Sequence, residues 1–172
     1  MPLASIQVAR SGGADDTLRG VAAVLMGRGL RLAGVVPQYP FVAEGHPCDQ
    51  NLIDLKTGGK VAIHQALGTG SRGCRLDAGA LEGIVAMVAR GMDMERPDLL
   101  IVNRFGKLEA AGRGFCPLIV QALEDGVPVV VGVNALNRPS FDAFAGCLAQ
   151  ELPDGIAEVL DWAEQFLDRA AA

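Results

Sequence analysis

The run Asp98-Leu99-Leu100-Ile101-Val102-Asn103 constrains the fold more than any other part of the chain. Its aliphatic residues fall on both faces of an extended strand, so the strand needs cover on both sides, as strands of parallel sheets have. The flanking sequence supplies that cover. Residues 4–9 predict a short buried strand, 11–16 a glycine-rich turn, and 17–28 a helix closed by Gly27 and Gly29. Residues 30–36 predict a second strand, and 51–55 and 60–64 flank Lys56-Thr57-Gly58-Gly59 as a β-hairpin that interrupts the β-α alternation. Residues 76–92 place Leu81, Ile84, Val85 and Val88 on one helical face with Asp77 as N-cap, and Pro97 ends that helix. A helix over 116–124, a turn at Asp125-Gly126, a strand over 127–133 and helices over 141–148 and 156–169 complete the alternation. Pro153-Asp154 opens the last helix, whose apolar face and Trp162 belong to the core rather than to an interface. The expectation is one α/β domain over residues 1–172, with a mainly parallel sheet, helices on both faces and a β-hairpin insertion.

Composition narrows the partners. Half of the residues are hydrophobic, which excludes wholesale disorder. The net charge of -5 and pI near 5.0 oppose a phosphate backbone, so nucleic acid is excluded as a partner. No uninterrupted apolar run reaches about 18 residues, and Met1-Pro2-Leu3-Ala4-Ser5 carries no basic segment followed by an apolar one. These features predict a cytoplasmic protein with no membrane partner. Cys48, Cys74, Cys116 and Cys147 form no C-x-x-C pair and read as reduced thiols. Cys48, Cys74, His46 and His64 are soft-metal donor types at irregular spacing, so no metal is assigned.

Two segments carry a resemblance. Val102-Asn103-Arg104-Phe105-Gly106-Lys107-Leu108-Glu109 resembles a segment of the small nucleoside-triphosphatases related to the P-loop kinases, where a strand ends in Asp-Glu followed by Gly-Lys-Met-Glu. Asp54-Leu55 with Gly58, and Gly126-Val127-Pro128-Val129, fall in the same order. Together with Gly73-Cys74-Arg75-Leu76-Asp77 and Phe141-Asp142-Ala143-Phe144-Ala145-Gly146, the first segment is also similar to an uncharacterised bacterial family of that lineage, often encoded beside molybdate-transport genes. The resemblance implies a three-layer P-loop NTPase-like fold and a link to molybdenum metabolism.

A working P-loop, G-x-x-x-x-G-K-[ST], cradles phosphates on backbone N–H groups, neutralises them with Lys and ligates magnesium through a hydroxyl. On that pattern Ala9 and Ala14 stand at the glycines, Asp15 at the lysine and Asp16 at the hydroxyl. Each carboxylate about 4 Å from a phosphate would repel it by roughly 1 kcal/mol even in water-like dielectric. Asn103 and Arg104 stand where the resembled enzymes carry acids for magnesium and for activating water; Asn is a poor magnesium ligand and Arg is no base.

Residues 11–16 therefore read either as a turn with a helix cap or as a relict anion nest built from Arg10, Ser11, Gly12 and Gly13. Arg104 and Lys107 either hold a small anion at the sheet's carboxyl edge or pair with Asp15, Asp16 or Glu109. The candidate ligand-binding set is Arg10, Ser11, Gly12, Gly13, Asn103, Arg104 and Lys107, with Cys74 and Arg75 in addition; no catalytic residue and no cofactor is assigned. The expected function is non-hydrolytic binding of a small ligand, oxyanion or nucleotide-like anion. A residual nucleoside-triphosphatase using Lys107 and Glu109, a protein-interaction module and a homodimer stay open.

Overall fold

A computed structural model describes residues 2–8, 13–38, 51–64 and 76–167. The chain runs β1 (Leu3–Val8), α1 (Gly13–Gly27), β2 (Leu32–Gln38), β3 (Asn51–Asp54), β4 (Lys60–Ala62), α2 (Ala78–Met94), β5 (Leu99–Phe105), α3 (Lys107–Ala110), α4 (Cys116–Glu124), β6 (Val129–Asn134), α5 (Arg138–Ala145), β7 (Ala149–Leu152) and α6 (Ile156–Leu167). The seven strands form one sheet in the order β4-β3-β2-β5-β6-β1-β7. β1, β2, β5, β6 and β7 run parallel, and β3 and β4 attach antiparallel as the expected hairpin.

The apolar run that defines β5 divides by strand alternation. Leu100 and Val102 join a core with Ile84 and Val88 of α2 and Ile119 of α4. Leu99 and Ile101 join a second core with Leu18 and Val21 of α1 and Val159 and Trp162 of α6. The result is a three-layer sandwich, since both faces of a parallel sheet must be covered. Trp162 is buried, as its place on the amphipathic face predicts. Thr17 Oγ1 donates to Asp154 Oδ1 at 2.8 Å, which ties the start of α1 to the approach of α6. Gly34 lets the two central strands meet: its φ is +102°, and a Cβ there would lie 1.9 Å from the Ile101 carbonyl oxygen.

Several boundaries differ from the sequence reading for identifiable reasons. α1 starts at Gly13 instead of residue 17, and this brings Asp15 and Asp16 into its first turn, where carboxylates complement the free N–H groups. β2 continues through Pro37 to Gln38 because β3 pairs with it there, beyond the point where β5 stops at Val35. Asp77 Oδ1 accepts from Ala80 N–H at 3.0 Å, the expected cap of α2. The helix expected over 141–148 starts at Arg138 and gives way to β7, which pairs with β1 from Leu3↔Ala149 to Ile6↔Leu152. Among the described residues, no helix is long and apolar enough to cross a membrane.

Candidate functional site

The carboxyl ends of β5 and β6 and the head of α1 converge at one edge of the sheet, where open parallel sheets bind ligands. The pairing of β5 with β6 slips between Val102 and Phe105, so three steps on β5 match two on β6. This bulge changes where side chains point: Val102 and Phe105 both enter the core beside α2 and α4, and the polar pair Asn103-Arg104 lies between them.

Arg104 crosses from β5 to the head of α1. Its Nη2 donates to Asp15 Oδ2 at 3.1 Å, and the Asp15 side chain is 1% exposed against 36% for Arg104. Of the two roles that the sequence left open for Arg104, the ion pair is therefore present. Asp16 instead faces solvent and takes Arg19 Nη2 at 2.7 Å. Arg104 Nε and Asn103 Oδ1 are buried and have no hydrogen-bond partner among the described residues.

A cavity of about 190 Å³ opens beside this pair. Asn103, Arg104, Lys107 and Glu109 form its polar side, and Leu52, Ile63, Leu76, Leu81 and Phe115 its apolar side. Lys107 is exposed and makes no ion pair among the described residues. Glu109 is 3% exposed and its two oxygens are taken: Oε2 accepts from Gly106 N–H at 2.9 Å and Oε1 from Phe115 N–H at 3.1 Å. A larger cavity of about 270 Å³ lies at the opposite edge, by Met26, Leu32 and Val88. Both cations of its described lining are paired, Lys56 Nζ with Glu95 at 3.3 Å and Arg31 with Asp98, and Asp54 accepts from Thr57.

Of the candidate residues, Asn103, Arg104 and Lys107 come together at the smaller cavity, and Gly13 opens α1. Arg10, Ser11, Gly12, Cys74 and Arg75 lie outside the described residues, as do His46 and Cys48. Among the described residues no cluster of His, Cys, Asp and Glu is able to hold a metal ion. Cys116 is buried, its Sγ donates to the Glu109 carbonyl at 3.2 Å, and burial with the nearby Glu109 charge pushes its pKa up to about 11. Sequence reading missed the apolar wall of the cavity, because it draws on the hairpin, α2 and the segment before α4, which only the fold brings together.

Residues 3–162 match the model of the family described as "Protein of unknown function (DUF2478)". The chain belongs to the DUF2478 family. A protein named Molybdenum import ATP-binding protein ModC 2, from Bradyrhizobium diazoefficiens, is 33% identical to this DUF2478 chain over 138 residues. The alignment covers 80% of this chain but 15% of that protein, so the chain spans only a small part of it. The crystal structure of THEP1 from the hyperthermophile Aquifex aeolicus superposes with a TM-score of 0.62 and 18% identity over 98% of each chain. The solution structure of a human cancer-related nucleoside triphosphatase superposes with a TM-score of 0.63 and 12% identity, over 99% of this chain and 96% of that one. This DUF2478 chain thus has the P-loop NTPase-like α/β fold that the sequence resemblance implied.

Proposed function

We propose that this DUF2478 chain is a non-hydrolytic binding protein for a small anionic ligand, held at the carboxyl end of β5 by Arg104, Lys107 and Asn103. The observation that carries the reading is the Asp15–Arg104 pair. On the P-loop pattern Asp15 occupies the lysine position, and Arg104 stands where an acid would hold magnesium. The two charges are exchanged, and the chain's own buried carboxylate lies at the helix head where phosphate charge would have to go. A magnesium nucleotide does not fit that arrangement. It would meet a carboxylate in place of a cation, and the neutral, buried Asn103 in place of a metal ligand. The rival use of Glu109 as a base is disfavoured because both of its oxygens already accept backbone N–H groups.

A role beside molybdenum import is supported by the name of the relative within which a similar segment occurs. Thermal melting with Mg-ATP, Mg-GTP, phosphate, molybdate, tungstate and small carboxylates tests the reading, since a ligand at 100 times its Kd adds about 2.7 kcal/mol of stability. The expected outcome is a shift with a small anion that Lys107→Ala reduces, no shift with either nucleotide, and no phosphate release. Turnover of a nucleoside triphosphate by the wild-type protein, lost in a Glu109→Gln variant that stays folded at the assay temperature, would establish the hydrolase instead.

A further inference from the structure

Resting on the proposed small-anion site, we infer the chemical class of its ligand: a monocarboxylate with a compact apolar body, in preference to a tetrahedral dianion. Three observations on the cavity beside β5 lead there independently.

The first is charge. Among the described residues the lining carries two cations, Arg104 and Lys107, and one anion, Glu109. Arg104 is further compensated by Asp15 at 3.1 Å. That leaves Lys107 as the lining cation with no ion pair among the described residues, and one negative charge on a ligand matches it, whereas molybdate or tungstate, each carrying two, adds a second negative charge beside Glu109 and Asp15. Burying an uncompensated charge is costly, so the lining favours the monoanion.

The second is the wall. Leu52, Ile63, Leu76, Leu81 and Phe115 face the polar residues across the cavity. These described side chains offer a hydrated oxyanion no polar partner in exchange for its water. A short hydrocarbon body placed against the same side chains is stabilised by its removal from water.

The third is size. The volume of about 190 Å³ lies below the roughly 300–1,000 Å³ of sites for drug-sized ligands. It accommodates a small acid and not a nucleotide. Within it, Lys107 meets the carboxylate as a point charge beside the Arg104 guanidinium.

Titration of isotope-labelled protein with acetate, isobutyrate, benzoate and molybdate, read by amide NMR shifts, tests this assignment. Isobutyrate or benzoate is expected to saturate shifts at residues 103–109, to bind more tightly than acetate, and to bind more tightly than molybdate. Lys107→Ala should weaken binding by about three- to fivefold, the effect of one partly exposed ion pair, and Lys107→Arg should restore it. Saturation by molybdate at the same amides and lower concentration would overturn the monocarboxylate while leaving the small-anion site intact. Carboxylate binding that Lys107→Ala leaves unchanged would overturn the assignment to this cavity. Silence at residues 103–109 with all four anions and with phosphate would overturn both readings.

Discussion

Asp15 and Arg104 join the head of α1 to the carboxyl end of β5 through an ion pair at 3.1 Å. The two side chains differ sharply in exposure, 1% against 36%, so their coupling should exceed that of a surface pair and fall short of a wholly buried one. A double-mutant cycle with Asp15→Asn and Arg104→Gln is expected to give a coupling of about 1–2 kcal/mol by urea unfolding; a value near zero would mean that the contact is incidental. Cys116 is the other residue whose surroundings set its chemistry. With its pKa raised to about 11 and its side chain buried, it should stay unalkylated in the folded protein at pH 8 while the exposed Cys147 reacts, as peptide mapping would reveal. The candidate pair was legible in the sequence because acid at 15 and base at 104 are visible as types. The bulge that sets Asn103 and Arg104 side by side was not, since it is a property of the pairing of β5 with β6.

At the level of elements, the turn from β5 through α3 to α4 is held by one carboxylate. Glu109 accepts N–H groups from Gly106 before it and Phe115 after it, and Gly114 must be a glycine: its φ is +59° and a Cβ would lie 2.1 Å from Glu109 Oε1. Gly114→Ala and Glu109→Ala are each expected to destabilise the protein by about 2 kcal/mol, with Glu109→Gln costing less because one acceptor remains. Equal stability of Gly114→Ala and wild type in urea would contradict the clasp. Elements with strong periodicity, α2, β5 and α4, were legible within a few residues because burial alone dictates them. α3 is a single turn and β7 reads Ala-Gln-Glu-Leu, so neither carries a pattern; α3 exists through the Glu109 bonds and β7 through pairing with β1.

Across the whole molecule, the two edges of the sheet serve different ends. The carboxyl edge holds the cavity, and the amino edge holds a clamp between β2 and β5. Asp98 Oδ2 accepts from Arg31 N–H at 2.8 Å and Nε at 3.1 Å, Oδ1 accepts from Nη2 at 2.7 Å, and Asp98 N–H returns a bond to the Arg31 carbonyl at 2.8 Å. The hydrogen bonds from the Arg31 side chain, chief among the causes, hold the Asp98 carboxyl below its usual value of 3.8, against the opposing effect of burial. Because the folded pKa is the lower one, the unfolded chain takes up the proton first as pH falls. The stabilisation is complete above the unfolded value and is lost on descending through about pH 4 towards the folded one. Melting temperatures of wild type and Asp98→Asn should therefore lie furthest apart near neutral pH and converge in acid, a gap constant with pH being the contrary result. The clamp sits at the edge remote from Arg104 and Lys107, so Asp98→Asn should leave the affinity for isobutyrate unchanged while lowering stability. That separation is what a sheet covered on both faces allows: its layers fix the geometry, and the polar residues at each rim act without disturbing the other.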